Sequence, residues 1–285
     1  MKTILVPIDF SKTALNGLKY AVVLAEKSKA RIILVHTIPS PLMDPTLPID
    51  FLINEKALIL KTAERKLKRL CQKISTSDPN LKCSFVVSEK SLSDSIMAVL
   101  QPQRGDLIVM GTQGAHGVRA FISGSHTAQI IEKAKCPVIA VPDSWKFKMP
   151  ERIVFASNLH ESDPECLKQL SVIAKSFSAC LTVLHISPQK QLSANEKHMI
   201  SSLKKTLKSE VKNCGINIES VHGSDTEETL QKYVHENKTD LLAMATHDRG
   251  ILDKLFGTSL TRKMAHHSDI PVMAFHYRAE SVFLV

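Results

Sequence analysis

MGTQGAHGVRAFISGS, running from Met110 to Ser125, decides how this chain is read. Gly111 and Gly114 are followed, after nine intervening residues, by Gly124 and Ser125. The apolar run Asp106-Leu-Ile-Val-Met110 leads in, and an amphipathic run from Ser125 to Lys135 leads out. The order is strand, glycine-punctuated loop, helix start. Glycines allow positive φ and close approach of a ligand to the backbone. A helix N-terminus then offers free N–H groups and the positive end of a dipole, so the arrangement suits an anion. The spacing G-x2-G-x9-G-[S/T] is neither the dinucleotide fingerprint GxGxxG nor the Walker loop GxxxxGK[ST].

Working outward, apolar runs alternate with amphipathic stretches. Strand one is read at Ile4–Asp9, and Asp9 and Ser11 are both able to cap the helix over Lys12–Ser28. Strand two is Arg31–His36, and Pro39, Pro41, Pro45 and Pro48 then predict a surface excursion. A helix follows over Asp50–Ser75, with Leu60, Ala63, Leu67, Leu70 and Ile74 as its stripe. Strand three, Leu81–Ser88, alternates as a half-exposed edge strand does. Ser91-x-x-Asp94 opens helix three, strand four is read at 106–110, helix four starts at Gly124-Ser125, and strand five is Cys136–Val141. Strands alternating with helices predict a parallel sheet covered on both faces.

The pattern then repeats. RIVFASN (152–158) matches TILVPID (3–9), and LTVLHIS (181–187) matches IILVHTI (32–38), which places His185 on His36. TDLLAMATHD (239–248) matches GDLIVMGTQG (105–114), and IPVMAFH (270–276) matches CPVIAVP (136–142). The chain reads as two α/β domains, 1–142 and 151–276, joined by a linker over Pro142–Pro150 that holds the only tryptophan.

Composition narrows the classes. The 44% hydrophobic content of the 285 residues supports full cores and argues against disorder. No apolar run approaches the roughly 20 residues that span a bilayer, and MKTILVPID enters a strand with no leader pattern, so the expectation is a cytoplasmic protein with no membrane partner. The six cysteines form no CxxC and read as reduced thiols. The net charge of +9 is concentrated in KTAERKLKRLCQK (61–73) and KKTLKSEVK (204–212), whose regular apolar positions make the lysines solvated helix faces rather than a nucleic-acid surface. Histidines gather in the second half, at positions 160, 185, 222, 235, 247, 266, 267 and 276, at spacings that match no metal-ligand motif.

The glycine loop and its matching flanks resemble the ATP-binding universal stress proteins, and the repeat makes the chain look like two such domains in tandem. The resemblance implies two open doubly wound sheets of strand order 3-2-1-4-5, like the adenine nucleotide alpha hydrolases. It also implies ATP or another adenine nucleotide, with Mg2+, as the ligand. Carried over by position, Asp9 would meet the adenine amine and Thr37 would offer backbone groups to the base. Pro7 and Met110 would be apolar walls, and Gly111 would let the chain pass the ribose. Gly114, Gly124, Ser125 and the N–H of His126 would hold phosphates, with His116 and Arg119 also in the loop. The last strands of the two halves would pair as an intramolecular pseudo-dimer. The closing ESVFLV would add a strand to either half or join two chains as a homodimer.

The second half departs from the pattern. Ala245 replaces Gly111, Asp248 replaces Gly114, Asn158 replaces Asp9 and Ala156 replaces Pro7, while Gly257 and Thr258 keep the helix-start end. A carboxylate near the phosphate position repels a polyanion, so one nucleotide-competent half and one degenerate half are expected. The reading is of a regulatory binding protein in stress response rather than an enzyme, with slow ATP hydrolysis left open. Two alternatives stand beside it. One is a nucleotide-free interaction module whose glycines only turn the chain. The other is an ATP-dependent enzyme of a related fold, whose own signatures are missing from DFSKTALNG after strand one.

Overall fold

The computed structural model describes residues 1–38, 48–103, 106–112, 126–210, 215–247 and 268–277. The first half runs β1 (Thr3–Pro7), α1 (Lys12–Ser28), β2 (Arg31–Thr37), α2 (Ile49–Ser77), β3 (Cys83–Ser88), α3 (Leu92–Gln103), β4 (Leu107–Thr112), α4 (His126–Lys133) and β5 (Val138–Pro142). The second runs β6 (Arg152–Ser157), α5 (Asp163–Phe177), β7 (Cys180–Ser187), α6 (Ala194–Glu210), β8 (Ile216–His222), α7 (Thr226–Glu236), β9 (Leu241–His247) and β10 (Val272–Tyr277). Each half has the strand order 3-2-1-4-5, and the two join into one ten-stranded sheet, β3-β2-β1-β4-β5-β10-β9-β6-β7-β8. Within each half the strands are parallel. The join is antiparallel, with Val272 on Ala140, Met273 on Ile139 and Ala274 on Val138. The last strands of the halves therefore pair within one chain.

Alternation along the strands builds two core layers. Ile4, Val6, Leu34 and Val109 face α1 and α2, as Phe155, Leu181 and Val183 face α5 and α6. Leu5, Ile33 and Ile108 face the other way, toward Ile96 of α3 and Ile130 of α4, and Leu184 and Leu242 toward Leu230 of α7. β3 lies at the sheet edge, and its Cys83, Phe85 and Val87 pack on the α1/α2 side while Val86 packs on the other. The stripe of α2 is buried at Ala63, Leu67 and Ile74, whereas Phe51, Ile53 and Leu58 nearer its start are more than half exposed. The basic residues Lys61, Arg65, Lys68, Arg69, Lys204, Lys205 and Lys208 are exposed, as a solvated face requires. No helix among the described residues is long and apolar enough to cross a membrane.

The duplication extends to backbone detail. Phe10 and Leu159, at equivalent positions after β1 and β6, take left-handed φ values of 66° and 62°. Lys29 and Ser178, the C-caps of α1 and α5, both have φ of 55°. Asp106 accepts from the backbone N–H of Thr3 at 2.9 Å, and Asp240 from that of Arg152 at 3.0 Å, so one carboxylate ties the entry of the first strand to the fourth in each half. The linker is a packed strap. Asn16 of α1 donates to the carbonyls of Pro142 at 2.9 Å and Trp145 at 3.0 Å, and Phe147 meets the buried Tyr20 edge-on at 5.9 Å.

Candidate functional site

The strand order reverses between β1 and β4, which pair at Ile4–Leu107 and Leu5–Ile108. The ladder stops there, although β1 continues to Pro7 and β4 to Thr112. Pro7 supplies the reason. The Ile8 N–H donates to Val35 of β2 at 2.8 Å. Successive N–H groups along a strand point to opposite neighbours, so the N–H that residue 7 lacks is the one that would face β4. Without it the next two pairs do not form, and the paired ladder ends at Leu5–Ile108. Proline in a central strand is otherwise avoided. In the second half Ala156 stands at this position, and the β6–β9 ladder runs two pairs further, through Phe155–Ala243 and Ala156–Met244.

Asp9 lies just beyond β1 and is exposed. Its Oδ1 accepts from the Ser11 N–H at 2.9 Å, and Ser11 in turn accepts from Ala14 N at 3.1 Å. Ser11 is thus the N-cap of α1, and Asp9 orders the turn that presents it. The second oxygen, Oδ2, makes no hydrogen bond among the described residues. Behind Asp9, the ring of Phe10 lies 4.8 Å from that of His36, and Lys66 of α2 stands 5.1 Å above the Phe10 face. His36 Nδ1 meets the Ile8 carbonyl at 2.5 Å, which holds the ends of β1 and β2 together. Thr37 is the last residue of β2, half-buried and in register with Ser88. Met110 is buried in the layer away from α1.

Gly111 belongs to β4, which runs past the end expected from sequence, and its lack of a side chain has a packing cause. A Cβ there would stand 2.0 Å from the carbonyl oxygen of Thr13. One at Gly17 would stand 2.6 Å from the Gly111 nitrogen. The two glycines let the first turns of α1 lie directly on the β4 backbone. Their counterparts, Cys166 and Ala245, carry side chains, so α5 cannot approach β9 as closely.

Structure thus brings Pro7, Asp9, Thr37, Met110 and Gly111 together at the carboxyl ends of β1, β2 and β4. His126 opens α4. Gly114, His116, Arg119, Gly124 and Ser125 lie outside the described residues, as do the prolines at 39, 41 and 45 and, in the second half, Asp248, Gly257 and Thr258. Among the described residues no group of three or more histidine, cysteine or acidic side chains could hold a metal ion.

Where the first half has Ile8 and Ala14, the second has Ser157 and Asp163. Ser157 Oγ donates to Asp163 Oδ2 at 2.5 Å, and Asp163 is 1% exposed with Oδ1 unpartnered. Burial pushes the Asp163 carboxyl above its ordinary range, opposed by the Ser157 hydroxyl and the nearby His160 and His185. His185 repeats the placement of His36, with Nδ1 at 3.2 Å from the Ser157 carbonyl, and its Nε2 lies 3.0 Å from Glu196. Hydrogen bonds from Ser193, then His185, pull Glu196 down to about 2. Ser193 and Glu196 also cap α6 reciprocally, Ser193 N donating at 2.7 Å and Glu196 N at 3.2 Å. This polar cluster was not anticipated from sequence. The aligned exchanges of Ile8 for Ser157 and Ala14 for Asp163 were its signal.

A parallel sheet whose order reverses at its first strand, with a crevice at the carboxyl ends on either side of the reversal, defines the doubly wound α/β proteins. This chain carries that strand order twice, within one ten-stranded sheet. It belongs to the universal stress protein family, whose model matches residues 1–142 and again 149–276. A universal stress protein of Archaeoglobus fulgidus DSM 4304 has the same fold over 96% of this chain and 98% of its own, with a TM-score of 0.74 at 17% identity. Universal stress protein MJ0531 of Methanocaldococcus jannaschii is 28% identical over 144 residues, 49% of this chain and 81% of that relative. MJ0577 of the same organism is 26% identical over 152 residues, 49% of this chain and 94% of that protein.

Proposed function

We propose that this protein is a regulatory adenine-nucleotide-binding protein with one competent site, in the first half. The observation that carries the reading is the unequal ladder. Pro7 ends β1–β4 pairing at Leu5–Ile108, at the switch point where doubly wound sheets take their ligands, whereas Ala156 keeps β6–β9 paired two residues further. Beyond that end of β1 an exposed Asp9 keeps one carboxylate oxygen free to accept from an exocyclic amine, and the buried Met110 offers an apolar wall. The phosphates fall to Gly114, Gly124, Ser125 and the His126 N–H by resemblance to the family, with Mg2+ neutralising the polyphosphate when bound. In this reading the chain's own residues recognise a base and exclude water from one of its edges, with slow ATP hydrolysis left open.

The test is to purify the full chain without added nucleotide, denature it, and identify released small molecules by chromatography and mass spectrometry. About one equivalent of an adenine nucleotide per chain supports the reading. Two equivalents would give the second half a site and remove its degeneracy. No nucleotide, together with no binding of ATP or ADP in calorimetric titration with Mg2+, would leave the interaction-module alternative. The variant Gly114→Val/Gly124→Val is expected to abolish binding with an unchanged circular dichroism spectrum.

A further inference from the structure

Away from the crevice, α2 and β3 place two cysteines against each other. Cys71 lies in the last two turns of α2 and Cys83 opens β3, and their sulfurs are 2.6 Å apart, side chain facing side chain. Both are half-buried and both are free thiols. A surface cavity of about 470 Å³ opens onto them, lined by Lys68, Cys71, Gln72, Ser75, Cys83 and Phe85, so a small reagent reaches the sulfurs from solvent. The corresponding strand of the second half begins with Ile216 and has no thiol there.

We propose that Cys71 and Cys83 are a redox-responsive dithiol that closes to a disulfide under hydrogen peroxide and reopens with small thiols. The two sulfurs divide the roles. Either thiol can donate to the other; with Cys83 as the donor the Cys71 pKa is lowered, and Cys71 is the attacking thiolate. Cys83 keeps its proton, held up by that bond and by burial. The Cys71 thiolate attacks one peroxide oxygen, the O–O bond breaks, and hydroxide leaves to be protonated to water, giving a sulfenic acid. Cys83 then attacks the Cys71 sulfur, the S–S bond forms, and the S–O bond breaks as a second water departs with the Cys83 proton. The two sulfurs lose two electrons in all, and one peroxide becomes two waters. The resulting bond clips the end of α2 to the sheet edge. Pairs of this kind, reduced at rest and oxidised in passing, are the form that disulfides take in a reducing compartment.

Peptide mapping of the full-length protein is the test. Trypsin cleaves after Arg69, Lys73, Lys82 and Lys90, so the two cysteines fall in separate peptides, 70–73 and 83–90. After stoichiometric hydrogen peroxide and alkylation of residual thiols, the expected product is these two peptides joined, and dithiothreitol should restore both thiols. Cys71→Ser should slow peroxide modification of Cys83 by about tenfold or more, because the low-pKa partner is gone. Cys83→Ser should trap Cys71 as a sulfenic acid that reacts with dimedone. The proposal fails if wild-type protein keeps both thiols alkylatable, if Cys71 advances to sulfinic acid while Cys83 stays free, or if either cysteine is found joined to a different one. The mapping on wild-type protein decides the matter even where a serine variant does not fold.

Discussion

The two halves share a strand order, a cap geometry and even their left-handed residues, yet differ where the first strand meets the fourth. In the first half a proline ends the ladder and two glycines bring α1 onto β4. In the second half Ala156 extends the ladder, Cys166 and Ala245 hold α5 off, and a buried polar cluster occupies the place of Ile8 and Ala14. What the two halves share is the sheet order. What differs is the carboxyl end of β1 and its mate, where a few residues decide how far the first and fourth strands pair. The longer ladder requires no disruption of the fold, since a single N–H extends the pairing.

The contrast can be broken most forcefully at the glycines. Gly111→Ala is expected to cost about 1–3 kcal/mol, because a methyl group would collide with the Thr13 backbone, which cannot rotate away as a side chain can. The reverse change, Ala245→Gly, is expected to cost only about 0.5–1 kcal/mol, the entropic price of glycine in a strand. Urea denaturation of both variants checks the asymmetry, and equal losses would contradict the packing reason given for Gly111. Next comes the ladder. Pro7→Ala is expected to weaken adenine-nucleotide affinity about tenfold, equivalent to about 1.4 kcal/mol, by letting β1 and β4 close. Ala156→Pro should open the second half while lowering stability by about 1–3 kcal/mol, since a ladder carbonyl loses its donor. Calorimetry measures the first and denaturant unfolding the second; undiminished affinity in Pro7→Ala would separate the crevice from the ladder.

The buried cluster makes a smaller difference, visible in pH. The folded chain binds the Asp163 proton more tightly than the unfolded chain does. Asp163 therefore weighs against the fold as pH rises from the ordinary carboxyl value of 3.8 toward its raised folded value. Asp163→Asn should gain stability over wild type across that window and level off above it, an effect expected in the exchange of β6 amides and absent from those of β1. Glu196 has the opposite sign. Its carboxylate contributes above 4.5, and that contribution is lost as pH falls toward about 2. Glu196→Gln should flatten this acid limb. An unchanged limb would show that the His185–Glu196 contact carries no pH-dependent stability.

Much of this was legible in the sequence because it rests on local pattern. The apolar runs of β1, β2 and β9 and the bounds of α1 follow from periodicity, and Ser91-x-x-Asp94 does form a reciprocal cap, Asp94 N donating to Ser91 at 3.1 Å and Ser91 Oγ to Asp94 at 2.7 Å. The repeat gave the same strand order twice because aligned segments need only be compared with each other. What stayed hidden depends on who faces whom. Pro7 read as an apolar wall, since only the Ile8–Val35 bond reveals that its missing N–H is turned to β4. Gly111 read as room for a ligand, since the Thr13 carbonyl that demands it lies almost a hundred residues earlier. Asp9 and Ser11 both read as able to cap α1; geometry assigns the cap to Ser11 and leaves Asp9 an unused oxygen. The pairing of Cys71 with Cys83 was invisible for the same reason, as helix phase and strand register must both be known before two side chains can be said to meet.

The strap between the halves has an optical consequence. Trp145 is the only tryptophan of the 285 residues, and it sits on the segment that Asn16 fastens to α1. Its indole nitrogen is buried without a hydrogen-bond partner. Emission from this protein under selective excitation therefore originates at the junction, from neither sheet centre, and a red shift times the release of one half from the other.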